Sequence, residues 1–256
     1  MTLSVVIIAR NEEENLPPTL HSVAGLVRDL SGEIVIVDSG STDRTLEIAA
    51  AAGAKIFRES WKGFAGQKNS ALDKATGDWV LSLDADEPLE PAAADEIRAL
   101  LARGPQVDGY WIPRKNFFLG RWIRHGGFYP DRKLRLIRRG AARWEEHGAH
   151  PTMSITGPTA NLRHAILHYA YPSLSGYIAH MNSYSSMQAE LIHAARPRGF
   201  DLVNIIVNPL ATFFYNYVVR LGFLDGREGL LLHLYHSAYV SWKYAKAWEL
   251  SRRKSL

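Results

Sequence analysis

The sequence predicts an α/β fold in which a mainly parallel sheet is flanked by helices. Apolar, strand-like segments alternate with helix-like segments throughout residues 1–105. Repeated β–α units of this kind form parallel sheets whose faces are covered by helices. The segment 78–83 is the clearest strand, because it is short and apolar and lies between Gly77 and Pro88.

The elements of this region are predicted from their hydrophobic patterns and terminal residues. Asn11 is the expected N-cap of the first helix, and Ser41 or Thr42 that of the second, which Gly53 ends. Pro91 suits the first position of the fourth helix. In chain order we predict a strand at 3–9, a helix at 12–29, a strand at 33–38, a helix at 43–52, a strand at 54–58, a helix at 66–76, a strand at 78–83 and a helix at 91–103.

The rest of the chain differs in composition from this first part. Residues 106–170 are irregular, aromatic and basic, with short strands expected at 109–114 and 133–138. Residues 171–256 are helical and apolar, and the segment 202–219 carries no charged residue. Asn204, Asn208, Pro209 and Asn216 interrupt that segment, so we favour helices lying on a membrane surface over a spanning helix. The alternative is that these helices cover the core of the protein itself.

Composition limits the possible classes of protein. A chain of 256 residues with 46% hydrophobic and 22% charged residues is typical of a globular protein. The absence of Cys excludes disulfides, a thiolate nucleophile and Cys-ligated zinc. No signal peptide is expected, because the first strand follows Met1-Thr2 directly.

Charge is distributed unevenly along the chain. The formal net charge is +4, yet ten Lys or Arg and one acid, Asp131, lie between Tyr110 and Arg143. Such a patch favours an anionic partner: a phosphorylated substrate, an acidic lipid headgroup or a nucleic acid. The alternative is an ordinary solvated basic face.

Acidic residues follow two of the predicted strands. Asp84 and Asp86 lie at the carboxyl end of the fourth strand, at the edge where open α/β sheets bind ligands. Paired carboxylates there suit Mg²⁺ or Mn²⁺ bound together with phosphate oxygens. Asp38 ends the second strand and can accept a hydrogen bond from a base or a ribose, or else cap a loop. Lys68, predicted beside the same edge, is either a phosphate ligand or a surface charge.

The sequence resembles a known family in three segments. No Gly-x-Gly-x-x-Gly follows the first strand, which argues against a dinucleotide-binding fold. The segments instead resemble, in the expected order, the signatures of family 2 glycosyltransferases, the inverting GT-A class. They are Val5-Val6-Ile7-Ile8-Ala9-Arg10-Asn11-Glu12-Glu13, Val37-Asp38-Ser39-Gly40-Ser41-Thr42-Asp43 and Leu83-Asp84-Ala85-Asp86. Segments 127–131, 134–136, 146–147, 167–169 and 222–226 resemble the branch that adds β-1,4-linked glucose to the lipopolysaccharide inner core.

The resemblance implies a GT-A fold and a UDP-sugar donor. Residues 1–105 would bind the nucleotide sugar, 106–170 would complete the domain with acceptor-binding and catalytic residues, and 171–256 would be the membrane-surface region. Asp84 would face the ribose or the metal, and Asp86 would bind the Mg²⁺ or Mn²⁺ that bridges the diphosphate. The nucleotide-sugar site would comprise Ile8, Arg10, Glu12, Asp38, Lys68, Asp84 and Ala85.

The uridine pocket departs from the family pattern at two positions. Ile8 and Arg10 stand where the family commonly has Pro and an aromatic residue. A guanidinium group can stack on a planar base, so Arg10 is able to replace the aromatic ring.

Catalytic and acceptor residues are expected in the middle of the chain. By resemblance Glu146 is the base that deprotonates the acceptor, with Glu145 as the alternative if the register shifts by one residue. His168 lies where some GT-A enzymes place a third metal ligand, although a His between aromatic residues is also a common packing residue. An acceptor phosphate would contact Asp131, Arg132 and Arg135, unless Arg135 simply belongs to an exposed strand face.

The sequence therefore predicts a metal-dependent, inverting hexosyltransferase (EC 2.4). It would move a sugar, expected to be glucose, from a UDP-sugar to an anionic lipid-linked glycan such as the lipopolysaccharide core. Its expected place is the cytoplasmic face of the inner membrane, as a peripheral protein. The alternatives are transfer to a polyprenyl phosphate, or a non-catalytic membrane protein that binds nucleotide sugars. No recognisable motif supports nucleic-acid binding.

Overall fold

The computed structural model describes residues 1–147, 150–195 and 199–253, and the chain forms two compact units. The first unit comprises Met1–Arg114 and Asp131–His168, and the second comprises Lys115–Pro130 and Tyr169–Leu256. The predicted middle region, 106–170, is therefore divided between the two units.

The first unit is built on parallel strands connected by helices, as predicted. Strands β1 to β4 run parallel in the order β4-β1-β2-β3, and β7 pairs antiparallel with both β4 and β5. The elements are β1 (Leu3–Ala9), α1 (Leu16–Asp29), β2 (Glu33–Asp38), α2 (Thr45–Ala51), β3 (Lys55–Arg58), α3 (Gly63–Lys74), β4 (Trp79–Asp84), α4 (Pro91–Arg103), β5 (Gly109–Phe118), β6 (Arg121–Trp122), β7 (Asp131–Arg138), β8 (Ala142–His147), β9 (His150–Ile155), β10 (Thr159–Asn161) and β11 (Ile166–Tyr171). Of these, β6 belongs to the second unit, and β5 and β11 each run from the first unit into the second.

The central strands are buried on both faces. Val5 and Ile7 point into a core shared with α1 and α4, whereas Val6 points into a second core that includes Leu72 of α3. Burial of this kind explains why these strands read as continuous apolar runs. The register places Ile8 opposite Asp84, and Ala9 opposite Asp38, so β1, β2 and β4 end together at one edge.

Two predicted helix caps are wrong. Asn11 adopts a positive φ of 56°, and its side-chain oxygen accepts the N–H of Thr42 at 2.8 Å instead of capping a helix. α1 consequently begins at Leu16. Ser41 donates its hydroxyl to Asp38. α2 consequently begins at Thr45, after Ser41 and Thr42. These two residues lie in the loop after β2 and connect it to the loop after β1 through hydrogen bonds with Asn11.

The second unit contains mainly helices. It includes α5 (Leu174–Ala195), a helical segment with π-helical turns at Val203–Val207 and Tyr215–Val219 around α6 (Asn208–Phe214), a 3₁₀ turn at Gly222–Asp225, and α7 (Gly226–Arg253). The buried Asp225 accepts the backbone N–H groups of Arg124 and His125 at 3.1 and 2.8 Å. Within residues 1–147, 150–195 and 199–253, no helix has both the length and the hydropathy needed to cross a bilayer.

Candidate active site

Asp84 is bound by two cationic side chains. Lys68 donates from Nζ to Oδ1 at 2.5 Å, and Arg135 donates from Nη2 to Oδ2 at 2.8 Å. Burial alone would raise the pKa of the Asp84 carboxyl, but the charges of Arg135 and Lys68 hold that pKa below its ordinary value. Asp84 is therefore an ionised carboxylate whose two oxygens are both engaged by protein donors.

Glu87 forms the buried floor of this site. Its side chain is fully buried and accepts hydrogen bonds from Arg135 at 2.8 Å and from Arg114 at 3.0 Å. It also accepts the backbone N–H of Asp84 at 3.1 Å, and so fixes the end of β4. Glu87 was not predicted as a site residue, although it directly follows Asp86. Arg114 was predicted only as one of the ten cationic residues of the basic patch, not as a partner of Glu87.

Asp86 and His168 face each other at the same edge. Oδ2 of Asp86 lies 3.3 Å from Nε2 of His168, which β11 supplies, and neither side chain is fully buried. Burial, together with the charges of Asp86, Asp43 and Asp84, raises the pKa of Glu12 above its ordinary value. The site therefore carries a concentration of negative charge near Asp86 that a cation would relieve.

Asp86 and His168 fit a divalent ion only in part. Among the described residues, no group of three or more His, Cys, Asp or Glu side chains is arranged to hold a metal. One carboxylate and one imidazole suit Mn²⁺, or Mg²⁺ less well, when several further oxygens are added. In many Mg²⁺ sites of proteins, phosphate oxygens of a substrate supply the remaining ligands.

Asp38 lies next to a cavity. Its buried carboxylate accepts the N–H groups of Gly40 at 2.9 Å and of Ser41 at 3.1 Å, so it holds the loop after β2. The cavity measures about 280 Å³ and is lined by Asp38, Gly40, Ser41, Leu46, Arg58, Glu59 and Ser60.

The other residues predicted to bind the nucleotide lie around the same ends of β1 and β4. Ile8 is half-buried at the end of β1, and Arg10 is exposed just beyond it. Ala85 is buried, and its carbonyl accepts the hydroxyl of Thr19 at 2.7 Å.

Strand β8 connects Glu146 to the Asp84 cluster. The ring of Trp144 lies beneath Nζ of Lys68, 4.3 Å from the ring centre. Side chains alternate along a strand, so Glu146 shares the face of Trp144 and Glu145 points to the opposite face. A Cβ atom on Gly63, the first residue of α3, would lie 2.8 Å from Oε1 of Glu146. These contacts place the exposed Glu146 carboxylate on the same side of β8 as Lys68.

The predicted basic patch is largely paired with acids. At least six of its ten cationic residues form ion pairs with carboxylates, and the acids outside the patch include Asp73, Asp84, Glu87 and Asp108. Arg135 is buried, so it does not belong to an exposed strand face.

The residues predicted to bind the acceptor lie in different environments. Asp131 accepts from Arg114 at 2.6 Å and pairs with Lys133; burial would raise the pKa of Asp131, but these cations lower it to about 2. Arg132 is exposed and donates to Asn161 at 3.1 Å.

The structure brings most of the predicted residues together. Glu12, Lys68, Asp84, Asp86, Arg135 and His168 form a connected group of charges at the edge where β1 and β4 end. The exposed Arg132 is not among the charged partners of this group.

Comparisons with known proteins show the family and the fold to which the chain is related. The model of the family described as "Glycosyl transferase family 2" matches residues 4–161. The chain is 31% identical over 260 residues to a lipopolysaccharide core biosynthesis glycosyltransferase, LpsC, of Rhizobium meliloti, over 96% of this chain and 94% of the relative. It is 26% identical to an uncharacterized glycosyltransferase of Rickettsia typhi, over 97% and 87% of the two chains. The crystal structure of S. aureus TarS residues 1–349 in complex with UDP aligns with a TM-score of 0.51 and 17% identity, over 100% of this chain and 92% of that one, which shows a common fold.

Proposed function

Because the chain belongs to glycosyl transferase family 2, we propose that it transfers a hexose with inversion from a UDP-sugar to a lipid-linked glycan. Membership of the family makes it a glycosyltransferase (EC 2.4). The proposal rests above all on the convergence of Asp86 and His168, 3.3 Å apart, at the edge where β4 ends. The TarS structure with UDP, which has the same fold, supports a uridine nucleotide as the donor.

The donor side of the reaction requires a divalent cation. Asp86 and His168 would hold Mn²⁺ or Mg²⁺, which would supply positive charge to the departing diphosphate. Lys68 and Arg135 keep Asp84 ionised and fixed in orientation. The exposed part of this carboxylate would face the ribose or the metal. The cavity beside Asp38 is the proposed uridine pocket, and Arg10 is the proposed stacking partner of the base.

Glu146 is the proposed catalytic base. An acceptor hydroxyl attacks the anomeric carbon as the bond from that carbon to the diphosphate oxygen breaks, and Glu146 takes up the hydroxyl proton. Inversion requires the base to stand opposite the leaving group. Glu146 is an exposed carboxylate, as such a base must be, and it is supported over Glu145 by sharing the face of Trp144.

The proposed acceptor is the lipopolysaccharide core, and the proposed sugar is glucose. The name of the R. meliloti relative supports this acceptor class. UDP-sugars are cytoplasmic and the acceptor is a membrane lipid, so we propose that the enzyme works at the cytoplasmic face of the inner membrane. A polyprenyl phosphate acceptor would use the same donor site.

The test is a panel of UDP-sugars with Mn²⁺, scored first by thermal stabilisation and then by product analysis on bacterial lipid extracts. A donor at about a hundredfold its Kd should raise the free energy of unfolding by about 2.7 kcal/mol. We expect a hexose on the lipopolysaccharide core. A polyprenyl-linked product would favour the second acceptor, and donor binding without transfer to any lipid would favour a non-catalytic role. Full turnover in excess chelator would refute the metal requirement.

A further inference from the structure

One face of the helical segment 203–219 is both apolar and exposed. Val203, Ile206, Leu210, Phe214 and Val218 follow one another at three- or four-residue intervals, and each is between 41% and 66% exposed. We call these five residues the apolar face. A contiguous exposed apolar surface on a folded protein marks an interaction site.

The exposed side of this helical segment is apolar, whereas most of its polar residues are partly covered. Its polar residues, Asn204, Asn208, Thr212 and Asn216, recur every four residues, and three of the four are half-buried. The hydroxyl of Ser241 in α7 donates to the carbonyl of Ile205 at 2.7 Å, so α7 covers one side of the segment. A helix at an aqueous surface turns its apolar stripe inward and its polar residues outward. This segment instead exposes an apolar stripe, as expected where a non-aqueous phase covers it.

Four arginines surround the turn that follows the apolar face. Arg121 donates to the carbonyl of Leu224 at 3.4 Å, the N–H of Arg124 is bound by Asp225, and Arg220 and Arg227 flank the turn in sequence. All four arginines are exposed.

Few acidic side chains pair with these arginines among the residues that the structure describes. Glu228 lies 3.8 Å from Arg121 and 3.0 Å from Arg227, while Asp225 is buried and bound to His125. Phe223 and Leu224 are 45% and 50% exposed at the tip of the turn. An apolar surface beside excess positive charge is complementary to the boundary between acyl chains and anionic headgroups.

We propose that the apolar face lies at the boundary between headgroups and acyl chains of an anionic bilayer. Phe223 and Leu224 would insert into this boundary, and the four arginines would lie among the headgroups. The segment lies along the membrane because one of its sides is covered by α7. This inference rests on the proposed function only in that a lipid-linked acceptor explains why the enzyme needs a membrane. Binding to vesicles itself requires neither donor nor acceptor.

The test is sedimentation of the full chain with vesicles of phosphatidylethanolamine and phosphatidylglycerol, compared with phosphatidylcholine vesicles. We expect binding to the anionic vesicles, weakened by salt. The double variant Leu210→Glu, Phe214→Glu should lose about tenfold or more in affinity, because two carboxylates would have to enter the acyl boundary. Arg121→Ala and Arg227→Ala should each lose about fivefold on anionic vesicles.

The matched control is Met187→Glu with Leu191→Glu, which replaces two exposed apolar residues of α5, at 37% and 44% exposure. This control should bind as the wild type does, and circular dichroism should show all variants folded. Equal loss in the control, or no binding by the wild type, would overturn the inference. So would a wild-type dimer that the Leu210→Glu, Phe214→Glu variant dissociates while vesicles bind neither protein, because the partner would then be a second copy. Failure of UDP-sugar turnover with intact vesicle binding would instead count against the proposed function.

Discussion

At the residue scale, the two carboxylates of the Asp84-Ala85-Asp86 motif have different physical roles. Asp84 neutralises Lys68 and Arg135, whose side chains are only 10% and 4% exposed. Removing one partner from such a buried group leaves uncompensated charge. Asp84→Asn should therefore lower the free energy of unfolding by about 3 kcal/mol, measured by urea denaturation.

Asp86→Asn is the matched variant, because Asp86 contacts only His168 among the ion pairs of the described residues. It should change stability by less than about 1 kcal/mol while abolishing metal-dependent turnover of UDP-sugars. If Asp86→Asn destabilises the protein as much as Asp84→Asn does, the division of roles between the two residues is wrong.

The two neighbouring glutamates of β8 provide a second pair. Glu146→Gln should leave donor binding unchanged and reduce kcat by about 10²- to 10⁴-fold, because it removes the proposed proton acceptor. Glu145→Gln, on the opposite face of the strand, should change kcat by less than about threefold. Donor binding is measured by thermal shift and kcat by release of UDP. The reverse result would assign the base to Glu145.

The sequence predicted which acids meet at the sheet edge but not how they are neutralised. Asp84 and Asp86 were identifiable because they end an apolar strand within a family motif. Arg135 was predicted to contact an acceptor, and yet it binds Asp84 and Glu87, 51 and 48 positions away. Pairing across such distances depends on the order of strands in the sheet, which puts β7 beside β4. Local periodicity carries no information about that order.

At the element scale, the start of α3 determines where Glu146 can lie. Gly63 has a φ of +79°, and an added Cβ would meet Oε1 of Glu146 at 2.8 Å. Gly53, which follows α2, has a φ of +73° with open space around it. Gly63→Ala and Gly53→Ala should both lower stability by about 1 kcal/mol, because each places a side chain in the left-handed region.

Only Gly63→Ala should also lower kcat, by displacing the Glu146 carboxylate. The comparison is made by urea denaturation and UDP release on the two purified variants. Equal kcat in both variants would show that the Gly63 contact does not position Glu146.

The ends of a helix were predictable where the residues that start and stop it are adjacent to it in the sequence. α4 spans 91–103 as predicted, because Pro91 fits the first turn and Gly104 ends it with a φ of +80°. α1 begins four residues later than predicted, since Asn11 is bound by the loop after β2 and Glu12 donates its N–H to Thr45. Hydrogen bonds to residues about 30 positions away therefore replace the local cap that Asn11 was predicted to form. A local sequence pattern carries no information about such distant partners.

At the scale of the whole molecule, we expect acid stability to depend on a buried histidine in the second unit. His233 is 1% exposed, and both of its ring nitrogens lack a hydrogen-bond partner among the described residues. Burial and the nearby His236 lower the pKa of His233 from 6.5 to about 4, although Asp225 opposes the shift. The folded protein therefore holds this ring neutral over a pH range in which the unfolded chain binds a proton.

The sign of the pH dependence follows from that difference in proton binding. Because the pKa in the folded state is the lower one, stability contributed by neutral His233 is complete above pH 6.5 and is lost as the pH falls towards about 4. The loss should reach at most about 3 kcal/mol, measured as the free energy of unfolding in urea at successive pH values.

His233→Gln should be less stable at pH 7 but should show a flatter profile below pH 6.5. His164→Gln, which changes an exposed histidine of the first unit, should keep the wild-type profile. If the free energy of unfolding of His233→Gln falls with pH as steeply as that of the wild type, other groups, among them carboxylates such as Asp131, determine the loss of stability in acid.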